Sequence, residues 1–311
     1  MCGIYGITER NPDFINSYIR QCSHRGPDGS SIWYDDDISL GHNLLAITSE
    51  PAQGKQPVET KHGVLTYNGE IFNYADLIKE TDWIPQTTCD TEYLSHALGT
   101  MPYETVNEKI DSMHAYAYYR KATKHLILSR DHVGIKPLYY AEIPQGLVFG
   151  SEIKGIIDKV PNGRCIDDFA AAAMSYSGIN ATRNTLFKNI KKVMPGETLV
   201  YDVANKRFIG SSKQIIVPTS KSKFNAEQFR HEAHETVKMC TLGMRKFGVF
   251  LSGGLDSTLV AYELKKILGE VDSFTNEMDP NVRIGEDHND DANCAKRFAE
   301  DFGFRHHRVK V

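Results

Sequence analysis

The residues best equipped for chemistry stand at the very start of the chain, in Met1-Cys2-Gly3-Ile4-Tyr5-Gly6. Removal of the initiator methionine, usual when the second residue is small, would leave Cys2 first, with a free α-amine beside its thiol. An amine with a pKa of ~8 acts as a general base near neutral pH, so one residue would supply nucleophile and base together. Two further groups have suitable types and spacing. Asn68-Gly69-Glu70 closes an apolar run, where an Asn amide and a Gly N–H could aim at one developing negative charge. Ser252-Gly253-Gly254-Leu255-Asp256-Ser257 lies between an apolar run and an amphipathic one. Its glycines would let backbone N–H groups and a helix N-terminus meet a phosphate. Each group has a plainer alternative. Cys2 could be a small residue in an N-terminal strand, Asn68-Gly69 a hairpin turn, and the Ser252 loop a Gly-rich strand-to-helix turn. The loop does not read G-x-x-x-x-G-K-[ST], which excludes a P-loop NTPase.

These groups need elements to hold them. Ile4, Tyr5 and Ile7 suit a buried strand that begins at the thiol. Residues 1–200 predict many short strands and few helices: a helix near 16–22, strands at 41–47, 63–67 and 147–151, a helix at 91–98, and a hairpin from 115–119 and 125–129. Two packed sheets with limited helical cover are the expected first domain. Residues 201–223 lose periodicity, gain Ser and Lys and contain Pro218, so they predict a linker. Residues 224–311 then alternate helix and strand, the pattern of a parallel α/β sheet.

Composition narrows the function. Apolar content of 41% and charged content of 24% over 311 residues fit a globular protein with two domains. A formal net charge of -4 gives no electrostatic case for nucleic acid. No apolar run reaches the ~18 residues of a membrane span, and no basic-apolar leader precedes Cys2. The six cysteines are scattered without a C-x-x-C pair, which suits reduced thiols in a cytoplasm better than disulfides or zinc.

Taken in order, Cys2, Asn68-Gly69-Glu70 and Ser252 to Ser257 resemble glutamine-hydrolysing asparagine synthetase. The resemblance covers nearly the whole chain. It includes the turn from His24 to Asp28, the run from Asn68 to Asn73, Cys89-Asp90-Thr91-Glu92, the segment from Arg130 to Tyr140, and that from Phe149 to Lys154. It implies an α+β N-terminal-nucleophile sandwich, a class II glutamine amidotransferase, over residues 1–200. Over residues 224–311 it implies the N-terminal part of an α/β ATP pyrophosphatase. Cys2 would be the nucleophile, Asn68 and Gly69 the donors to the tetrahedral oxyanion, and Glu70 and Asp90 the carboxylates for glutamine's α-ammonium. Leu251, Ser252, Gly253, Gly254, Leu255, Asp256 and Ser257 would take ATP, with Asp256 holding Mg2+. The implied reaction is an ATP-dependent ligation: ammonia from glutamine displaces AMP from an aspartate activated as its acyl-adenylate. A different acceptor, or a non-catalytic subunit of a split enzyme, is the alternative.

Two departures accompany the resemblance. The family pattern His-x-Arg-Leu-x-Ile reads His42-Asn43-Leu44-Leu45-Ala46-Ile47 here, so Leu44 stands where an arginine meets glutamine's α-carboxylate. A hydrogen bond to a charged group contributes about 1.5–3 kcal/mol. Either Lys55 or Arg25 is expected to reach in, or glutamine binds weakly, or its hydrolysis is lost. The second departure is that residues 224–311 contain no second Gly-rich acidic loop and no acceptor pocket. The expected partner is a separately encoded synthetase half, or another copy of this chain, recruited by the edge strand 306–311.

Overall fold

A computed structural model describes residues 1–216, 223–278 and 289–311. The chain divides into two compact units, Met1–Pro218 and Thr219–Val311. Strands β1 (Gly3–Ile7), β2 (Gly29–Tyr34), β3 (Ser39–Leu44), β4 (Val58–Glu59), β5 (Gly63–Ile71) and β6 (Ser112–Arg120) open the first unit. Strands β7 (His125–Arg130), β8 (Tyr139–Ile143), β9 (Gly146–Gly150), β10 (Lys191–Lys192), β11 (Glu197–Asp202) and β12 (Arg207–Lys213) complete it. They form two six-stranded sheets, in the orders β10-β8-β9-β1-β3-β2 and β12-β11-β7-β6-β5-β4, with antiparallel neighbours throughout.

Period-two side-chain alternation explains the layering. On β1, Ile4 joins Leu40, Ala115, Leu128 and Phe149 in the core between the sheets. Tyr5 and Ile7 point the other way, onto Ile15, Tyr18 and Ile19 of helix α1 (Pro12–Gln21). On the far face of the second sheet, Leu65, Tyr67 and Ile127 pack against Leu94, Leu98 and Val106. Those three belong to α3 (Asp90–Thr100) and α4 (Tyr103–Lys109), which follow the short helix α2 (Tyr74–Lys79). The result is helix on sheet on sheet on helix, and β1, covered on both faces, is buried throughout. Helix α5 (Asp168–Ser177) lies between β9 and β10 in the chain.

The linker expected at 201–223 begins too early. β11 runs to Asp202 and pairs with β12, so residues through Lys213 belong to the second sheet of the first unit. β12 is an edge strand and mostly exposed, so its composition is polar like a linker's although its backbone is paired. The Asn68-Gly69 hairpin alternative is also ruled out, because β5 continues through both residues to Ile71.

The second unit carries α6 (Ala226–Met239), β13 (Gly248–Phe250), α7 (Leu255–Leu268), β14 (Asp272–Glu277), α8 (Asp290–Asp301) and β15 (Arg305–Lys310). Its strands are parallel in the order β13-β14-β15, as the alternating pattern predicted. Val249, Leu251, Ala261, Leu264, Ala295 and Ala299 form its core. No described helix is long and apolar enough to cross a membrane.

Candidate active site

Cys2 is placed by the strand that follows it. β1 lies between β9 and β3, with Gly3 opposite Asn43, so the residues after β3 run alongside the thiol. The Cys2 sulfur accepts from the Leu45 N–H at 3.3 Å and lies 3.6 Å from the Leu45 carbonyl. Ser151 ties down Ile4, two residues on, from both sides: its hydroxyl accepts from the Ile4 N–H at 3.0 Å, and its own N–H donates to the Ile4 carbonyl. Arg25 donates from Nε to the Cys2 carbonyl at 2.9 Å and from a terminal nitrogen to Glu152 at 3.2 Å. Glu152 in turn binds His24 at 2.7 Å and Lys154 at 3.2 Å. The His24 to Asp28 turn is thus a brace behind the Cys2 thiol. Gly26 belongs to it because a Cβ there would lie 2.5 Å from the Asn43 backbone. Burial pushes the Cys2 thiol up, against the pull of the Leu45 N–H, the terminal amine and Lys136. Burial also lowers the terminal amine, here that of Met1.

The opposite wall comes from β5. The Tyr67 N–H donates to Gln56 Oε1 at 2.7 Å and the Ile71 N–H to an Asp90 carboxylate oxygen at 2.9 Å, both away from β6. Backbone direction alternates along a strand, so the Gly69 N–H, midway between them, faces the same side. Asn68 beside it is 1% exposed, and its Nδ2 has no hydrogen-bond partner. A buried amide N–H without a partner costs ~1–3 kcal/mol, and an incoming oxyanion would satisfy it. Only glycine fits at 69, since a Cβ would sit 2.3 Å from the Met113 carbonyl oxygen.

Two carboxylates complete this wall. Asp90 opens α3, where the helix dipole favours an anion, and it accepts from the Tyr67 hydroxyl at 3.1 Å. Burial nevertheless raises its pKa. Glu70 is 7% exposed, and its Oε1 has no partner. Burial first, and then the charge of Asp90, push it up to about 7, with Lys136 opposing. Cys2, Asn68, Gly69, Glu70 and Asp90 all line one small cavity, together with Met1, Leu44, Leu45, Gln56 and Lys136. The structure therefore brings together the thiol, the two expected oxyanion donors and the two carboxylates that the sequence nominated.

The two cations expected to replace the missing arginine do not line that cavity. Lys55 is exposed and lines neighbouring hollows, and Arg25 is committed behind the thiol. Leu44 forms an apolar part of the wall. The cation that does line it is Lys136, which sequence reasoning passed over inside the Arg130 to Tyr140 segment. Its loop is anchored by Asp131, whose carboxylate accepts from the N–H groups of Gly134 (2.6 Å), Ile135 (2.9 Å), Lys136 (3.0 Å) and His114 (3.2 Å). Arg130 clamps the same loop through the carbonyls of Gly134 and Lys136, both at 2.6 Å. Arg130-Asp131 followed by Gly134 was the available signal for such an anchored loop.

In the second unit, Ser252 to Ser257 form the turn from β13 into α7. The Ser252 and Ser257 hydroxyls meet at 2.9 Å, and Thr258 donates to the Gly254 carbonyl at 2.7 Å. Gly253 has φ +82, and a Cβ there would lie 2.4 Å from the Asp291 carbonyl oxygen. Gly254 caps α7 with no side-chain hydrogen bond, which leaves the helix's first N–H groups open to an anion. Asp256 is exposed in the first turn of α7. Leu251 differs from its neighbours: its side chain is in the core, its N–H donates to Phe274 at 2.9 Å and its carbonyl accepts from Thr275. It positions the loop and has no backbone group left for a phosphate. Among the described residues no three His, Cys, Asp or Glu side chains are grouped to hold a metal ion.

A helix-covered two-sheet sandwich, with a thiol before a central strand and a buried unpartnered amide and paired carboxylates lining the same cavity, is the frame of a glutamine amidotransferase domain. The chain belongs to the glutamine amidotransferase domain family, whose model matches residues 1–210. The asparagine synthase family model matches residues 228–311. Among curated relatives, asparagine synthetase [glutamine-hydrolyzing] 3 of Bacillus subtilis is 25% identical over 100% of this chain and 54% of its own length. Asparagine synthetase B [glutamine-hydrolyzing] of Escherichia coli is 28% identical over 86% of this chain and 45% of its own. The chain spans about half the length of the curated relatives it matches. The glutamine phosphoribosylpyrophosphate amidotransferase of B. subtilis shares the fold, with a TM-score of 0.50 and 16% identity, over 88% of this chain and 65% of that one.

Proposed function

We propose that this chain is the glutaminase and the first part of the synthetase of an asparagine synthetase. Cys2, freed of Met1, attacks the side-chain amide of glutamine while its own amine takes the thiol proton. The tetrahedral oxyanion is received by Asn68 Nδ2 and the Gly69 N–H. The amine then returns the proton to the leaving nitrogen, ammonia departs, and water hydrolyses the thioester to glutamate. Glu70 and Asp90 bind the α-ammonium. The observation that carries this reading is the pair of buried, unpartnered polar atoms, Asn68 Nδ2 and Glu70 Oε1, in the wall of the Cys2 cavity. They are a donor and an acceptor left for a ligand that brings both an oxyanion and an ammonium.

In the second unit the open N–H groups of α7 and the Ser252 to Ser257 loop suit the phosphates of ATP, and Asp256 suits a magnesium ion shared with them. Magnesium bound there would offset phosphate charge as an aspartate carboxyl is adenylated. Asp256 would give that ion one carboxylate, the rest of its shell coming from phosphate oxygens and water. The chain spans about half the length of its curated relatives, so on this reading groups beyond residues 228–311, from the same polypeptide or a partner, complete the adenylation site. The chain as it stands should bind ATP weakly without forming an acyl-adenylate. Aspartate-dependent pyrophosphate release by these 311 residues alone would overturn that part.

The glutaminase reading is tested by intact mass and by glutamate release. Protein lacking Met1 should hydrolyse glutamine and be labelled once by 6-diazo-5-oxo-norleucine, and Cys2→Ala should do neither. Equal labelling of the two proteins would sink it.

A further inference from the structure

We infer that Lys136 is the residue that binds the α-carboxylate of the amino-acid substrate, in place of the arginine that Leu44 replaces. The inference rests on the glutaminase reading and names the recognition element that reading lacks.

The charge inventory of the cavity carries it. An amino acid enters as a zwitterion, and its binding site needs anions for the ammonium and a cation for the carboxylate. The wall offers two carboxylates, Glu70 and Asp90, and a single basic side chain, Lys136. Lys136 is 6% exposed, and its ammonium makes no hydrogen bond to any described protein group although its backbone is held at both ends. An ammonium largely withdrawn from solvent with no protein partner is left for a ligand or water to complete. Three structural tethers keep that loop in place without using the ammonium: the Asp131 carboxylate, the Arg130 guanidinium, and the bond from the Gly196 N–H to the Asp131 carbonyl at 2.8 Å. The charged and titratable groups around it are the Cys2 thiol, Glu70, Asp131 and Arg25. Burial lowers its pKa, and the first three of these hold it up. Of the other nearby cations, Lys55 is outside the cavity, and Arg25 does not line it either: its Nε and one terminal nitrogen hold the Cys2 carbonyl and Glu152, and its second terminal nitrogen is buried without a partner.

A second role must be told apart from this one. Lys136 also favours the ionised form of Glu70 and so could aid ammonium binding indirectly. The two roles differ in what they recognise. The experiment measures, by calorimetry at pH 8, binding of L-glutamine and of L-glutaminamide, whose α-carboxylate is masked as an amide. The proteins are the full-length Cys2→Ala chain and the same chain carrying Lys136→Met. Cys2→Ala cannot turn over substrate, so binding is read without hydrolysis. The expected result is that Lys136→Met weakens glutamine about ten-fold or more, following the strength of a charge-assisted bond. Glutaminamide, already weak, should lose about two-fold or less, because the bond in question is absent from it. Equal losses for the two ligands would mean that Lys136 acts through Glu70, and unchanged glutamine binding would remove it from recognition. Either outcome overturns the inference. Lys136→Arg, which keeps the charge, should recover most glutamine binding, and its failure to do so while folded by circular dichroism would count against the proposal. Failure of the glutaminase reading looks different: the binding pattern would hold while the chain with Cys2 intact released no glutamate.

Discussion

Glu70 shows how function and stability oppose each other at a single residue. Its folded pKa of about 7 exceeds the ordinary 4.5, so between those values the native chain binds more protons than the unfolded one. The resulting penalty is absent below about pH 4.5, grows as pH rises, and is complete above about pH 7. A difference of that size corresponds to roughly 3 kcal/mol. Glu70→Gln should therefore raise urea stability by that order at pH 8 and change it little at pH 5. Binding should move the opposite way. Glutamine affinity in the unmutated protein should rise with pH through 7 as the carboxylate ionises, and Glu70→Gln should lower it and flatten that rise. A variant equally stable at both pH values, relative to the unmutated protein, would contradict the assigned ionisation. Asn68→Ala addresses the other orphan group. Loss of one oxyanion donor costs about 10²–10³ in kcat, so steady-state assays should show that loss with little change in KM.

At the scale of elements, the site is three backbone segments held in register. β1 carries the thiol, the end of β3 delivers Leu44 and Leu45 beside it, and β5 carries Asn68 to Glu70. Gly69→Ala would force the β5–β6 pair apart at Met113. It should cost about 1–3 kcal/mol by overpacking and lower kcat as well, since the N–H moves with the backbone. Urea titration and kinetics on the same preparation would check both. The Asp131 loop offers a parallel case. Asp131→Asn leaves one acceptor oxygen where the carboxylate used two for four N–H groups, and should destabilise the fold by about 2–3 kcal/mol.

Those elements also mark how far the sequence could be read. Cys2, Asn68, Gly69, Glu70 and Asp90 were legible because each sits in a short motif, and the motifs in order resemble one family. Lys136 was not, because nothing local distinguishes a lysine between Ile135 and Pro137 from a solvated one. Only the fold carries its loop back to Cys2. The same limit explains β12: Arg207 to Lys213 are polar and exposed, and only the pairing with β11 makes them a strand. Asn68-Gly69 showed the converse, since a strong local turn signal was overridden by the long pairing of β5 with β6.

For the whole molecule, the division into two units has a direct consequence. Every residue assigned to glutamine hydrolysis lies in the first unit, which has its own three core clusters. Residues 1–216 expressed alone should therefore fold and hydrolyse glutamine with an unchanged kcat. The second unit has a single small core and leaves Phe250 and Leu255 exposed at 85% and 84%. Residues 223–311 alone should unfold at lower urea than residues 1–216, by circular dichroism on each piece.

Met1 lines the cavity proposed for glutamine, and with it in place that cavity holds only about 60 Å3. On the proposed reading Met1 would be a plug as well as a cap on the amine, and its removal would be an activating step. An amino-terminal affinity tag should then yield folded, inactive protein that gains glutaminase activity when cut back to the cysteine.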